Sequence, residues 1–108
     1  MESKNLFNEK IYSLLKKVPK GKVTTYKALA EALDTKAYRA VGQAMRHNPY
    51  APEVPCHRVV ASDGTIGGFS GSWNPESKEV KRKIKILKNE GVKVKDNKID
   101  LDKHQFRF

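Results

Sequence analysis

The chain holds one cysteine in 108 residues. A single thiol closes no internal disulfide, so folding does not depend on an oxidising compartment. No apolar run reaches the ~18 residues that a membrane helix needs, and no basic leader precedes an apolar stretch with a cleavage site. These absences argue against membrane insertion and secretion, and the expected location is the cytoplasm (with the nucleoid) or a nucleus. The three histidines, His47, His57 and His104, are scattered, and with one cysteine they offer no zinc-ligand spacing. No metal or other cofactor is expected. Acidic residues are also scarce: 12 Asp and Glu against 22 Lys and Arg leave a net charge of +10. Such an excess argues for a polyanionic partner, most simply nucleic acid, because each neutralised phosphate releases counterions. Charge alone does not separate DNA from RNA, from an acidic membrane or from plain solubility.

What is present is enough for one small domain spanning residues 1–108, expected as a monomer. Its one cysteine stands in Val54-Pro55-Cys56-His57-Arg58-Val59-Val60. A thiol attacks as the thiolate, and a proton-accepting or cationic neighbour is the usual means of producing one. His57 and Arg58 are both adjacent to Cys56. In a regular strand neighbouring side chains face opposite ways, so Cys56 and His57 converge only at a bend. Pro55 supplies the reason for one, and a strand is expected over residues 57–60. An isolated free cysteine is otherwise most often an inert buried hydrophobe.

Along the chain, Leu6, Phe7, Ile11, Leu14, Leu15 and Val18 recur at three- and four-residue spacing, predicting a helix over residues 5–18 that ends at Pro19-Lys20-Gly21. Thr24 or Thr25 can cap a second helix over 26–33, and a third is expected over 37–47 after a break that contains no glycine. Two short helices so joined make a helix-turn-helix. The third is rich in small residues, Ala37, Ala40, Gly42 and Ala44, so it presses close either to the second helix or to another surface. Asn48-Pro49 ends it. Ser62-Asp63-Gly64 signals a turn, and the glycine-rich stretch 67–73 has neither the lysine of a P-loop nor the spacing of a dinucleotide site. A fourth helix is expected over 76–90 with Val80, Ile84 and Leu87 inward, Gly91 terminating it, and Lys78, Lys81, Arg82, Lys83, Lys85 and Lys88 forming a solvated basic face. Glu90 at its end opposes the helix dipole, a hint that some other group holds it. A hairpin follows over 92–101. Residues 105–108 are either disordered or dock an aromatic. The fold class is mainly α, a winged-helix-like helix-turn-helix domain with short β segments.

Between Arg39 and Trp73, the blocks Arg39-Ala40-Val41-Gly42, Asn48-Pro49, Pro55-Cys56-His57-Arg58-Val59-Val60 and Gly67-Gly68-Phe69-Ser70-Gly71 occur in order. In them the chain resembles the DNA-binding and active-site domain of the O6-alkylguanine-DNA alkyltransferases. The resemblance runs from about Phe7 to the tail. It implies a duplex DNA partner containing O6-alkylguanine, with the small-residue helix in the minor groove. Arg39 then fills the space of the extruded nucleotide, with Ala40 and Gly42 beside it, and Tyr26 aids rotation of the base. Asn48 braces the hinge before the active-site loop. Cys56 is the alkyl acceptor, His57 its base and Glu90 the carboxylate that orients His57. Arg58 and Val59 fall with the substrate- and DNA-contacting residues. Phe69 and Ser70 wall the guanine pocket; Phe69 replaces the family's usual tyrosine, which leaves Tyr26 or Ser70 to supply a proton or hydrogen bond to the leaving guanine.

The reaction so implied is irreversible transfer of the alkyl group to Cys56, once per molecule, without metal or cofactor, in a single domain expected to stand without the one that full-length members usually carry in front. Two other readings stand beside it. The alkyltransferase-like proteins share this small size, replace the cysteine, and bind damage without transfer. A helix-turn-helix transcription factor would bind by sequence and ignore base damage.

Overall fold

The structure is a computed structural model that describes residues 3–50, 53–69 and 72–108. Helix α1 (Ser3–Leu15) lays Ile11 and Leu15 into the core. It stops three residues short of the expected end. Residues 17 and 18 tighten into three-residue bonds, Lys17 to the Leu14 carbonyl and Val18 to the Leu15 carbonyl, just ahead of Pro19, which disfavours helical geometry in the residue before it. Val18 is buried all the same.

Of the two threonines, Thr25 caps helix α2 (Tyr26–Ala32): its hydroxyl accepts a 3.0 Å bond from the Ala28 amide. Thr24 and Thr25 themselves form strand β1, which pairs in parallel with β2 (Val59–Val60), Thr24 opposite Val59 and Thr25 opposite Val60. Helix α3 (Tyr38–Arg46) packs on α1 and α2, burying Val41 and Ala44, and Tyr12 donates a 2.9 Å hydrogen bond to the Ala44 carbonyl. The turn between α2 and α3 works without glycine because Asp34 takes the left-handed conformation, φ 54°, which a short polar side chain tolerates. The helix-turn-helix is thus present in a mainly helical domain with short strand pairs.

The strand expected over 57–60 is shorter. Cys56–Arg58 form a 3₁₀ turn, and only Val59 and Val60 are extended. Those two residues point to opposite faces, as alternation demands. Val59 joins the core of α1, α2 and α3, whereas Val60 joins a second cluster with Val23, Ile66, Val80 and Leu87. The short parallel pair therefore lies between two cores.

Helix α4 (Lys78–Asn89) starts at a Ser77 cap and covers the second cluster. Gly91, at φ 93°, follows its end. Strands β3 (Val94–Lys95) and β4 (Lys98–Ile99) form the expected hairpin, turned by Asp96 and Asn97, both at positive φ. A short helix α5 (Leu101–His104), capped by Asp100, was not expected. Of the two outcomes left open for the tail, docking is observed: Phe106 packs on the first core, and its amide bonds the Val23 carbonyl at 2.7 Å. Among the described residues no helix is long and apolar enough to cross a membrane.

Candidate functional site

Asn48, just beyond the end of α3, binds both ends of the loop that leads to the cysteine. Its amide donates to the Val54 carbonyl at 2.7 Å, and its side-chain oxygen accepts from the Tyr50 amide at 2.9 Å. Pro55 then turns the chain into the 3₁₀ segment, where Cys56 is half-buried and reduced.

Cys56 opens into a cavity of about 560 Å³, within the range of small-ligand sites. Tyr26 lines it from the start of α2; Arg39, Gly42, Gln43 and Arg46 line it from α3; Gly68, Phe69 and Trp73 line it from the glycine-rich loop. Gly42 bears on why α3 is built of small residues. A Cβ placed there meets nothing within 4 Å, so close packing against α2 does not require the glycine. At that position the missing side chain leaves an open face, whereas Ala44 is buried in the core.

Behind the cysteine lies a charged cluster. His57 is buried and its Nε2 is 2.9 Å from Glu90 Oε2. Because a carboxylate only accepts, this contact puts the imidazole proton on Nε2 and leaves Nδ1 with a lone pair. Burial lowers the His57 pKa, the Glu90 contact opposes it in part, and the net shift is downward, so the ring is neutral at neutral pH. Burial raises Glu90, but hydrogen bonds from Arg58 and His57 outweigh it and hold the carboxyl below its ordinary range.

Arg58 departs from expectation. Its Nε and one terminal nitrogen grip Glu90 at 2.9 and 2.7 Å, the other reaches the Val18 carbonyl at 2.7 Å, and its side chain is only 12% exposed. It braces the cluster from within and does not line the cavity. Val59 is also corrected: fully buried in the first core, it does not line the cavity. Ala40 sits half-buried on α3 outside the lining, and Ser70 lies outside the described residues.

Lys83, expected on the basic face of α4, is fully buried. Its ammonium donates to the carbonyls of Val59, Ile66 and Gly68 at 2.6, 2.7 and 3.0 Å. Burial pushes its pKa down to about 7, and the proximity of Cys56 pulls the other way. The three carbonyls further favour the cation, since a neutral amine has only two protons to give. One signal for this was present in the sequence: position 83 falls on the stripe of Val80, Ile84 and Leu87 at three- and four-residue spacing.

Tyr26 is raised to about 12 by burial and by Cys56, and therefore stays protonated beside the thiol. Phe69 carries no hydroxyl, and Arg82 lies over its ring at 5.9 Å. Among the described residues no group of three or more His, Cys, Asp or Glu side chains is placed to hold a metal ion.

Known proteins are similar to this chain in sequence and fold. Residues 6–92 match the family described as the DNA binding domain of 6-O-methylguanine DNA methyltransferase. The methylated-DNA–protein-cysteine methyltransferase of Thermococcus kodakarensis is 49% identical over 88 residues, 81% of this chain and 45% of that protein. A bifunctional methyltransferase/endonuclease of Picrophilus torridus is 39% identical over 107 residues, 98% of this chain and 33% of that protein. The chain thus spans a third to about half the length of these relatives. S. pombe Atl1, solved in complex with damaged DNA containing O6-carboxymethylguanine, superposes with a TM-score of 0.81 at 32% identity, covering 100% of both chains. On sequence and fold together, the chain belongs to the family of the 6-O-methylguanine DNA methyltransferase DNA-binding domain.

Proposed function

We propose that the chain binds duplex DNA carrying O6-alkylguanine, takes the damaged base into the cavity and transfers the alkyl group to Cys56. The observation that carries this is the shared cavity of Cys56, Tyr26 and Arg39, with a neutral His57 pinned to Glu90 behind the thiol. The open face at Gly42 lets α3 lie against the duplex, and Arg39 holds the gap that the everted base leaves. His57 Nδ1 takes the Cys56 proton, directly or through a water. Sulfur then bonds the alkyl carbon as the carbon–O6 bond breaks, and the departing guanine regains a proton, for which Tyr26 is the available donor. The products are guanine and an S-alkylcysteine. A thioether has no route to hydrolysis here, so each molecule reacts once.

Incubation with a duplex containing O6-methylguanine, followed by peptide mass analysis, tests the proposal. One methylene is gained on Cys56 and none by Cys56→Ala. The full-length match to Atl1 favours a second reading, damage binding without transfer. An unmodified Cys56 in a chain that still selects the lesion would establish that reading and refute the first.

A further inference from the structure

Trp73 is the chain's only tryptophan, and it is 64% exposed on the loop that faces Cys56 across the cavity lining. Its position is fixed on three sides. Phe69 and Ser72 exchange backbone hydrogen bonds at 2.8 and 3.0 Å, and the Ser72 hydroxyl reaches that of Ser77, the cap of α4, at 2.9 Å. The indole lies on the bare backbone of Gly68, where an added Cβ would come within 2.7 Å of its Cδ2 and Cε2. Its ring stands 6.0 Å from that of Tyr26, tilted by 36°. A large, flat, apolar surface is thereby held at the mouth of the thiol's cavity, with few local contacts on its outer side. Nothing in the fold requires an indole there, since the second core closes without it.

We infer that Trp73 is a specificity-determining wall of this cavity, stacking on the O6 substituent of the everted base and favouring flat aromatic adducts over methyl. The inference rests on the damaged-base reading above, though not on alkyl transfer. A benzyl group gains stacking area from an indole that a methyl group cannot match. The cavity, at about 560 Å³, leaves room for a purine with such a substituent.

Two arms test it with the full chain. In the first, rates of Cys56 alkylation by duplexes containing O6-benzylguanine or O6-methylguanine are compared by intact mass for the parent, Trp73→Ala and Trp73→Phe. The benzyl-to-methyl ratio should fall about tenfold in Trp73→Ala, the scale of one lost stack, and clearly less in Trp73→Phe. In the second, the affinities of the same two duplexes are compared in Cys56→Ser with and without Trp73→Ala, a measurement that needs no transfer. A Trp73-dependent affinity ratio without any Cys56 adduct supports the wall and overturns only the transfer reading. A ratio that is unchanged or rises on Trp73→Ala in both arms overturns the wall, the latter because the indole would then be an obstruction.

Discussion

Lys83 and His57 are the two buried side chains at the site whose charge is set by burial, and they answer differently to substitution. Lys83 satisfies three backbone carbonyls from two chain segments. Lys83→Met keeps the volume but strands all three acceptors, and unpaired buried groups cost about 1–3 kcal/mol each. Part of that is offset because a buried cation is no longer desolvated. A net loss of about 3 kcal/mol in denaturant unfolding is expected, without loss of helical content.

For His57 the folded pKa is lowered, so between that value and the unfolded value near 6.5 the unfolded chain binds more protons. Its contribution to stability is present above about 6.5 and is lost as pH falls through the folded pKa. In the proposed transfer, the same protonation removes the base. The alkylation rate should hold to below pH ~6.5 and then drop about tenfold per unit. Glu90→Gln removes the carboxylate that raises His57, so it should move this acid limb to lower pH, as a pH–rate profile for both proteins would reveal.

Among the elements, the link between α3 and the cysteine turn depends on Asn48. Asn48→Ala breaks two hydrogen bonds, each contributing about 1 kcal/mol. Thermal unfolding should report a loss of about 1–2 kcal/mol, and the alkylation rate should fall further than stability alone explains, since Cys56 loses its fixed approach. The helices were legible because their apolar spacing is local: α1, α2, α3 and α4 all appear within a few residues of where the pattern puts them. The parallel pairing of β1 with β2 was not, because two-residue strands 35 positions apart in Thr24 and Val59 leave no periodic trace. At the site, the His57–Glu90 contact followed from the resemblance, whereas the inward turn of Arg58 and the burial of Lys83 did not follow from any pattern of charge. Basic residues ordinarily face solvent, and only the demand of Glu90 and of three unpaired carbonyls draws these two in.

At the scale of the whole molecule, the net charge of +10 predicts that the proposed DNA binding weakens with salt, each neutralised phosphate contributing a slope of about 0.9 in log affinity against log salt. Arg46 is exposed on α3 and lines the cavity. Arg46→Ala should reduce that slope by about one in a salt titration, with undamaged and alkylated duplexes affected alike. The two cores meet at β1 and β2, and Lys83 reaches across from the second to the carbonyl of Val59 in the first. Among the described lysines it alone is sealed from solvent. An acylating reagent can therefore reach its amine only while the cores part, which makes the slow labelling of that one nitrogen a clock for how often the molecule breathes open.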